Sequence, residues 1–406
     1  MAVGLHGLPP LHPVPGIRLG ATAAGIRKKN RRDLVVIECT AGTRVAATFT
    51  RNRFCAAPVT VAREHLDQNA PRALLINTGF ANAGTGAQGL EDARASCAAL
   101  AKLMGCTGTE VLPFSTGVIG ERFPLERFIA GLPGCLANLD ENHWEDAAQG
   151  IMTTDTVPKG SSSQVRIGGH TVTVTGIAKG AGMIRPDMAT MLAFVATDAV
   201  ISQKVLQACI TQAVSKTFNR ITVDGDTSTN DACVLLATGL AGNAVIDVSQ
   251  GEVYAVLADA VTEVFAELSQ AIVRDAEGAT KFITVEVRGG KSESDCLDVA
   301  YTIAHSPLVK TAFFASDPNW GRILAAIGRA PVASLDVNAV SVYLNEVCVV
   351  QHGAVAPDYI EAKGLAVMRL PEIVVGVDLG AGSSSARIWT SDLSHDYVRI
   401  NAEYRS

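Results

Sequence analysis

Acidic residues are missing from positions 1–32, and neither Cys-x-x-Cys nor His-x-x-x-His occurs anywhere in the chain. No run of about 18 apolar residues is present either, so no membrane-spanning helix is expected. The nine cysteines stand singly, from Cys39 and Cys55 to Cys296 and Cys348. An odd number without paired spacing fits poorly with a disulfide framework and points to reduced, mostly buried thiols in a cytosolic protein. The eight histidines are equally isolated, so no metal site is predicted. Charge is sparse at 18%, and the net charge of −6 argues against nucleic acid or an anionic membrane surface as partner. The acid-free opening carries the basic run Arg27-Lys28-Lys29-Asn30-Arg31-Arg32, a composition that suggests a transit peptide. Pro9, Pro10, Pro13 and Pro15 break any amphipathic helix there and no apolar h-region exists, so the segment reads as structure. The expectation is a soluble, cytoplasmic protein.

What is present is a long apolar chain. At 406 residues and 48% apolar content it exceeds one ordinary core, so at least two domains are expected. Asp33–Ile37 and Val45–Thr50 read as strands joined by the Ala41-Gly42-Thr43 turn, and Ala73–Ile76 as another strand. Helical periodicity marks 90–105, 143–152, 203–219, 252–272 and a stretch around 302–316. A boundary is expected near 281–300, followed by a smaller α+β unit. Gly380-Ala381-Gly382-Ser383-Ser384-Ser385 lacks the Gly-Lys-Ser/Thr of a phosphate loop and reads as a turn. Asp224-Gly225-Asp226-Thr227-Ser228-Thr229-Asn230-Asp231 invites a calcium reading but lacks the EF-hand's terminal Glu. It reads better as a hydrogen-bonded loop beside a cleft.

The stretch that carries chemistry is Lys179-Gly-Ala-Gly-Met-Ile-Arg-Pro-Asp-Met-Ala-Thr-Met-Leu-Ala-Phe194. Ala189-Thr190 stands at the mouth of an apolar run short enough for a buried strand. A threonine hydroxyl becomes a nucleophile when a base takes its proton, and its own freed α-amino group can be that base. With an ordinary pKa of about 7.7–8.0, that amine keeps a neutral fraction at pH 7. Making it requires cleavage between Ala189 and Thr190. A second element, Val111 to Glu121, ends in Ser115-Thr116-Gly117, where a hydroxyl and a backbone N–H can be aimed at one developing oxyanion.

The motif Lys-Gly-Ala-Gly-Met-Ile-x-Pro-x-Met-Ala-Thr-Met-Leu resembles the self-cleavage motif of the bacterial ornithine acetyltransferases, the glutamate N-acetyltransferases of arginine biosynthesis. The resemblance runs from about residue 16 to Ser406. It implies an α/β fold with two sheets sandwiched between helix layers (α-β-β-α), shared with self-processing aminopeptidases, and a smaller C-terminal α+β domain. It also implies cleavage into 1–189 and 190–406, with 190–280 completing the main domain and 281–406 forming the smaller one. Thr190 would be the nucleophile, with Thr116 and Gly117 as the oxyanion hole. Thr153, Lys179, Thr190, Glu277, Asn401 and Ser406 would hold substrate, Lys179 facing a carboxylate and Glu277 an amine. The family pattern leads one to expect Asn where Phe80 stands. The implied reaction passes acetyl from N2-acetyl-L-ornithine to L-glutamate without a cofactor, and leaves open whether acetyl-CoA is a second donor. The implied assembly is a heterotetramer of two α and two β fragments. The alternative is a hydrolase of the related aminopeptidase group, in which water resolves the acyl-enzyme.

Overall fold

Backbone hydrogen bonds pair strands edge to edge, and a computed structural model shows how they pair over residues 2–27, 30–185, 191–333 and 335–403. The first sheet has the order β1 (Ile17–Thr22), β2 (Leu34–Cys39), β4 (Ala73–Phe80), β5 (Val111–Val118). Its last pair is parallel and the others antiparallel. The second sheet has the order β3 (Arg44–Phe49), β9 (Ala232–Ala237), β8 (Leu192–Thr197), β7 (His170–Lys179), β6 (Lys159–Ile167). Strand β8 lies in its middle, antiparallel to β7 and parallel to β9, and all six residues of β8 and of β9 are buried. That burial on both faces explains why 192–196 reads as a continuous apolar run rather than an alternation.

The inner faces of the two sheets share one core, with Ile37, Ile76, Leu112 and Phe114 from the first meeting Ile177, Phe194 and Val234 from the second. Phe114 and Phe194 meet edge-to-face, with ring centroids 5.1 Å apart. Helix α1 (Ala57–Leu66) packs beside β5, and α2 (Gly86–Met104) and α3 (Leu125–Ala137) cover the outer face of the first sheet. The short α4 (Trp144–Gly150) buries Trp144 in the inter-sheet core. On the outer face of the second sheet lie α5 (Gln203–Lys216) and the 23-residue α6 (Glu252–Arg274), whose Leu257, Val261, Val264, Leu268 and Ile272 form the packing stripe. The result is four layers, helix–sheet–sheet–helix.

The third sheet draws all its strands from residue 282 onward. Its order is β13 (Ala354–Val355), β12 (Val347–Gln351), β11 (Ser341–Leu344), β14 (Glu372–Asp378), β10 (Phe282–Gly290), β15 (Ser384–Ser391). Helices α7 (Glu293–Ala304), α8 (Pro307–Phe314), α9 (Trp320–Gly328) and α10 (Glu361–Met368) bury their apolar sides on one face. The opposite face carries exposed charge pairs such as Arg387–Glu286. The chain then forms α11 (His395–Ala402), which returns to the first two sheets.

The two strands expected on either side of Ala41-Gly42-Thr43 are both present, as β2 and β3. The Ala41-Gly42-Thr43 turn does not close a hairpin: β2 belongs to the first sheet and β3 to the second, so the turn carries the chain across the sandwich. The helix expected around 302–316 is two helices, because Pro307 cannot continue α7 and instead opens α8 behind the capping hydroxyl of Ser306. Helix α7 itself starts behind a Ser292 cap, inside the stretch where the boundary is expected.

Candidate active site

Segments distant in sequence converge at one end of the two-sheet sandwich around a cavity of about 260 Å³. Strand β5 delivers Thr116 and Gly117, the turn after α4 delivers Thr153, and the end of β7 delivers Lys179. The turn after α6 brings Glu277, and α11 brings Asn401. Six expected site residues therefore line one chamber. Met191, the residue before β8, also lines it, and its carbonyl accepts from Ala232 N–H at 2.9 Å. Ala189, Thr190 and Ser406 lie outside the described residues.

The buried Lys179 ammonium donates to Thr116 Oγ1 at 3.1 Å. The Thr116 hydroxyl is thus an acceptor in that bond, which leaves its own proton to donate elsewhere. Burial pushes the Lys179 value below that of an ordinary lysine, opposed chiefly by Asp155 and further by Asp231 and Glu277. Gly117 has φ 131°, and a Cβ there would stand 2.3 Å from the Gly79 carbonyl carbon. Only glycine fits, since the clash is with backbone that cannot swing aside. A hydroxyl donor and a main-chain N–H side by side on a rigid strand are what an acyl-transfer oxyanion requires.

Glu277 is buried, and its Oε2 accepts from Asn401 Nδ2 at 2.7 Å. Its backbone N–H donates to Ala181 O at 2.9 Å, tying the carboxylate's turn to the glycine-rich motif. Gly182 makes that approach possible, since a Cβ there would lie 2.4 Å from Glu277 Oε2. Gly278 (φ 69°) does the same for α11, as a Cβ would stand 2.6 Å from both Ser394 Oγ and Tyr397 N. Ser394 Oγ donates to Gly278 O at 2.6 Å and completes the docking of α11 beside Glu277.

The polar loop after α5 holds the motif from below. Asp224 accepts the N–H groups of Met183 (2.6 Å) and Ile184 (3.0 Å), and Thr222 Oγ1 donates to Ile184 O at 2.9 Å. Met183 sits at φ 54°, a left-handed conformation uncommon for a side chain of its size, and these bonds hold it there. Asn230 donates to Ala81 O at 2.6 Å and Ser115 O at 2.9 Å, so the loop also fixes the strand that carries Thr116. The reading of residues 223–231 as a hydrogen-bonded loop beside the cleft matches this geometry. Among the described residues no cluster of His, Cys, Asp and Glu has the arrangement of a metal site.

The chain matches the model of the ArgJ family over residues 18–406. The chain belongs to the ArgJ family. Two curated relatives agree over the full length of both chains. They are the arginine biosynthesis bifunctional protein ArgJ of Pseudomonas fluorescens (58% identical) and that of Pseudomonas syringae pv. tomato (56%). Among solved structures, the arginine biosynthesis bifunctional protein ArgJ of Bacillus halodurans is 36% identical. It covers 50% of this chain and 95% of its own, with a TM-score of 0.48. The Mycobacterium tuberculosis ornithine acetyltransferase, solved in complex with ornithine, is 32% identical over 44% of this chain and 93% of its own, with a TM-score of 0.38.

This ArgJ-family chain also places residues that sequence reading did not single out. Asp155, Lys159 and Asp275 form a buried charge chain behind Thr153 and Lys179. Nothing local in the sequence marks Lys159 and Asp275 as partners of Asp155. Phe80, where Asn was expected, ends β4 and lies under the Arg27 guanidinium at 5.4 Å. Arg27 in turn pairs with Glu121 at 2.7 Å. A second cavity of about 210 Å³ adjoins the first, sharing Gly117, Val118, Thr153 and Thr154 with it.

Proposed function

We propose that the chain is a glutamate N-acetyltransferase that cleaves itself between Ala189 and Thr190 and carries acetyl from N2-acetyl-L-ornithine to L-glutamate on Thr190. The observation that supports this reading most is the convergence of Thr116, Gly117, Thr153, Lys179, Glu277 and Asn401 on one cavity that Met191 also lines. The freed Thr190 amine deprotonates its own hydroxyl, which attacks the acetyl carbonyl. The Thr116 hydroxyl and Gly117 N–H stabilise the oxyanion, and ornithine leaves. The glutamate amine then takes the acetyl group from the threonine ester. Lys179 faces the substrate carboxylate and Glu277, steadied by Asn401, faces the side-chain ammonium of acetylornithine, and glutamate enters the same chamber once ornithine has left. Ser406 is proposed to complete that wall.

The same reading divides the chain into a fragment 1–189, a segment 190–280 that completes the main domain, and a smaller domain 281–406. The third sheet's use of strands from residue 282 onward supports that division. Two α and two β fragments in one cytoplasmic heterotetramer are the proposed assembly. All nine cysteines are free, which fits a reducing compartment. Acetyl-CoA is proposed as a second donor at the same threonine.

The test is steady-state kinetics with acetylornithine and glutamate varied together. Ping-pong transfer gives parallel double-reciprocal lines and acetylglutamate in step with ornithine. Release of acetate with no acetylglutamate would establish the hydrolase instead.

A further inference from the structure

Lys159 opens β6 with its side chain wholly buried, and all three of its ammonium donors are used. They reach Asp155 Oδ1 at 2.7 Å, Asp275 Oδ2 at 2.7 Å and Val157 O at 3.3 Å. The two acids are attached to different walls of the cavity. Asp155 accepts the N–H groups of Thr153 (2.9 Å) and Gly180 (2.8 Å), which fixes the Thr153 turn against the end of β7 where Lys179 stands. Asp275 caps α6 and accepts the N–H groups of Thr156 (2.9 Å) and Val157 (3.3 Å) as well as the Thr156 hydroxyl. Glu277 follows two residues later. One ammonium therefore ties the Lys179 wall to the Glu277 wall.

Stability alone does not explain a lysine here. Desolvating such a group offsets most of its Coulomb attraction, and apolar side chains of similar volume often serve folding as well. A fixed separation does explain it, because the ion pairs are short and saturated while packed apolar side chains tolerate sliding. We infer that Lys159 is a positioning residue that sets the distance between the Lys179 and Glu277 ends of the cavity, and with it the length of substrate accepted. The inference rests on the proposed function, in which Lys179 takes the carboxylate and Glu277 the side-chain ammonium of one substrate.

The experiment compares three acetyl donors: N2-acetylornithine and its homologues one methylene shorter and one methylene longer. The wild-type enzyme is expected to prefer acetylornithine in kcat/KM by roughly 10–200-fold, the range one methylene commands in a shaped pocket. Lys159→Met keeps the stem and removes the charge. Its preference should shrink by about tenfold, a large part of the discrimination a methylene supplies, with KM rising more than kcat falls. Because that change leaves Asp155 and Asp275 facing each other, Lys159→Met/Asp275→Asn is made alongside it. The double variant restores charge balance but not the bridge, so its preference stays reduced even where stability recovers. Asp275→Asn alone leaves Lys159 bound to Asp155 and should lie between, and it decides the matter if both Lys159 variants fail to fold. A merely structural role lowers the active fraction for all three donors alike, and an unchanged preference ratio in folded variants overturns the inference. If the wild type transfers acetyl from none of the three, the functional reading fails first and this inference falls with it.

Discussion

The Thr116 hydroxyl has one partner in the structure, Lys179, and the proposed oxyanion would be its second. It accepts from Lys179 Nζ and keeps its proton for the cavity. Thr116→Ala should therefore cost about 10²–10³ in kcat, the effect of removing one oxyanion donor, with a much smaller change in KM. An equal rise in KM with kcat intact would make Thr116 a substrate-positioning group instead. Gly117→Ala is a different kind of change, since its Cβ meets the Gly79 carbonyl carbon and the strand must shift. Thr116, Gly117 and Lys179 could be singled out in the sequence because each sits inside a contiguous motif that resembles the family's. Lys159 and Asp275 were not legible. Their bond spans 116 positions, and a lysine four residues after an aspartate outside a helix carries no local signal.

At the scale of elements, strands β5 and β8 carry the proposed oxyanion donors and lead from the proposed nucleophile, and the Phe114–Phe194 contact couples them across the sandwich. Phe194→Ala should destabilise the protein by about 3–5 kcal/mol, the usual cost of deleting a buried aromatic side chain. Urea unfolding measures it, and a change under 1 kcal/mol (about a tenth of a typical domain's stability) would mean the sheets pack without that contact. Helix α11 has no buried residue among those described, yet it is fixed by Ser394, Tyr397 and Asn401. Deleting 401–406 should raise KM for acetylornithine and glutamate and leave cleavage at Ala189-Thr190 intact. Unchanged KM values would remove Asn401 and Ser406 from the site. Strand positions could be read from apolar runs, but their partners could not. The Ala41-Gly42-Thr43 turn could be read because turn chemistry is local, whereas the assignment of β2 and β3 to opposite sheets depends on long-range pairing.

Across the whole molecule, the third-sheet unit reaches the motif through His305. Its Nε2 lies 3.0 Å from Thr222 Oγ1, which in turn donates to Ile184 O. Burial, aided by Arg185 and Lys310, lowers the imidazole from its ordinary value of 6.5 to about 4. In the unfolded chain the ring takes a proton near pH 6.5, whereas in the fold it waits until about pH 4. Protons thus favour unfolding in that window, and stability should fall as pH drops through it. His305→Gln should flatten that part of the stability–pH curve, and an unchanged curve would mean the ring is not the group responsible. The overall layering was legible because the self-cleavage motif carried the fold with it, while the charge chain that spaces the site depends on the finished packing. The central claim is the acyl-threonine at residue 190, and intact mass under denaturing conditions tests it most directly. After exposure to acetylornithine without glutamate, the account predicts fragments 1–189 and 190–406, the second heavier by one acetyl group that glutamate then removes. An active enzyme that remains a single uncut chain, or an acetyl group carried on the first fragment, would contradict it.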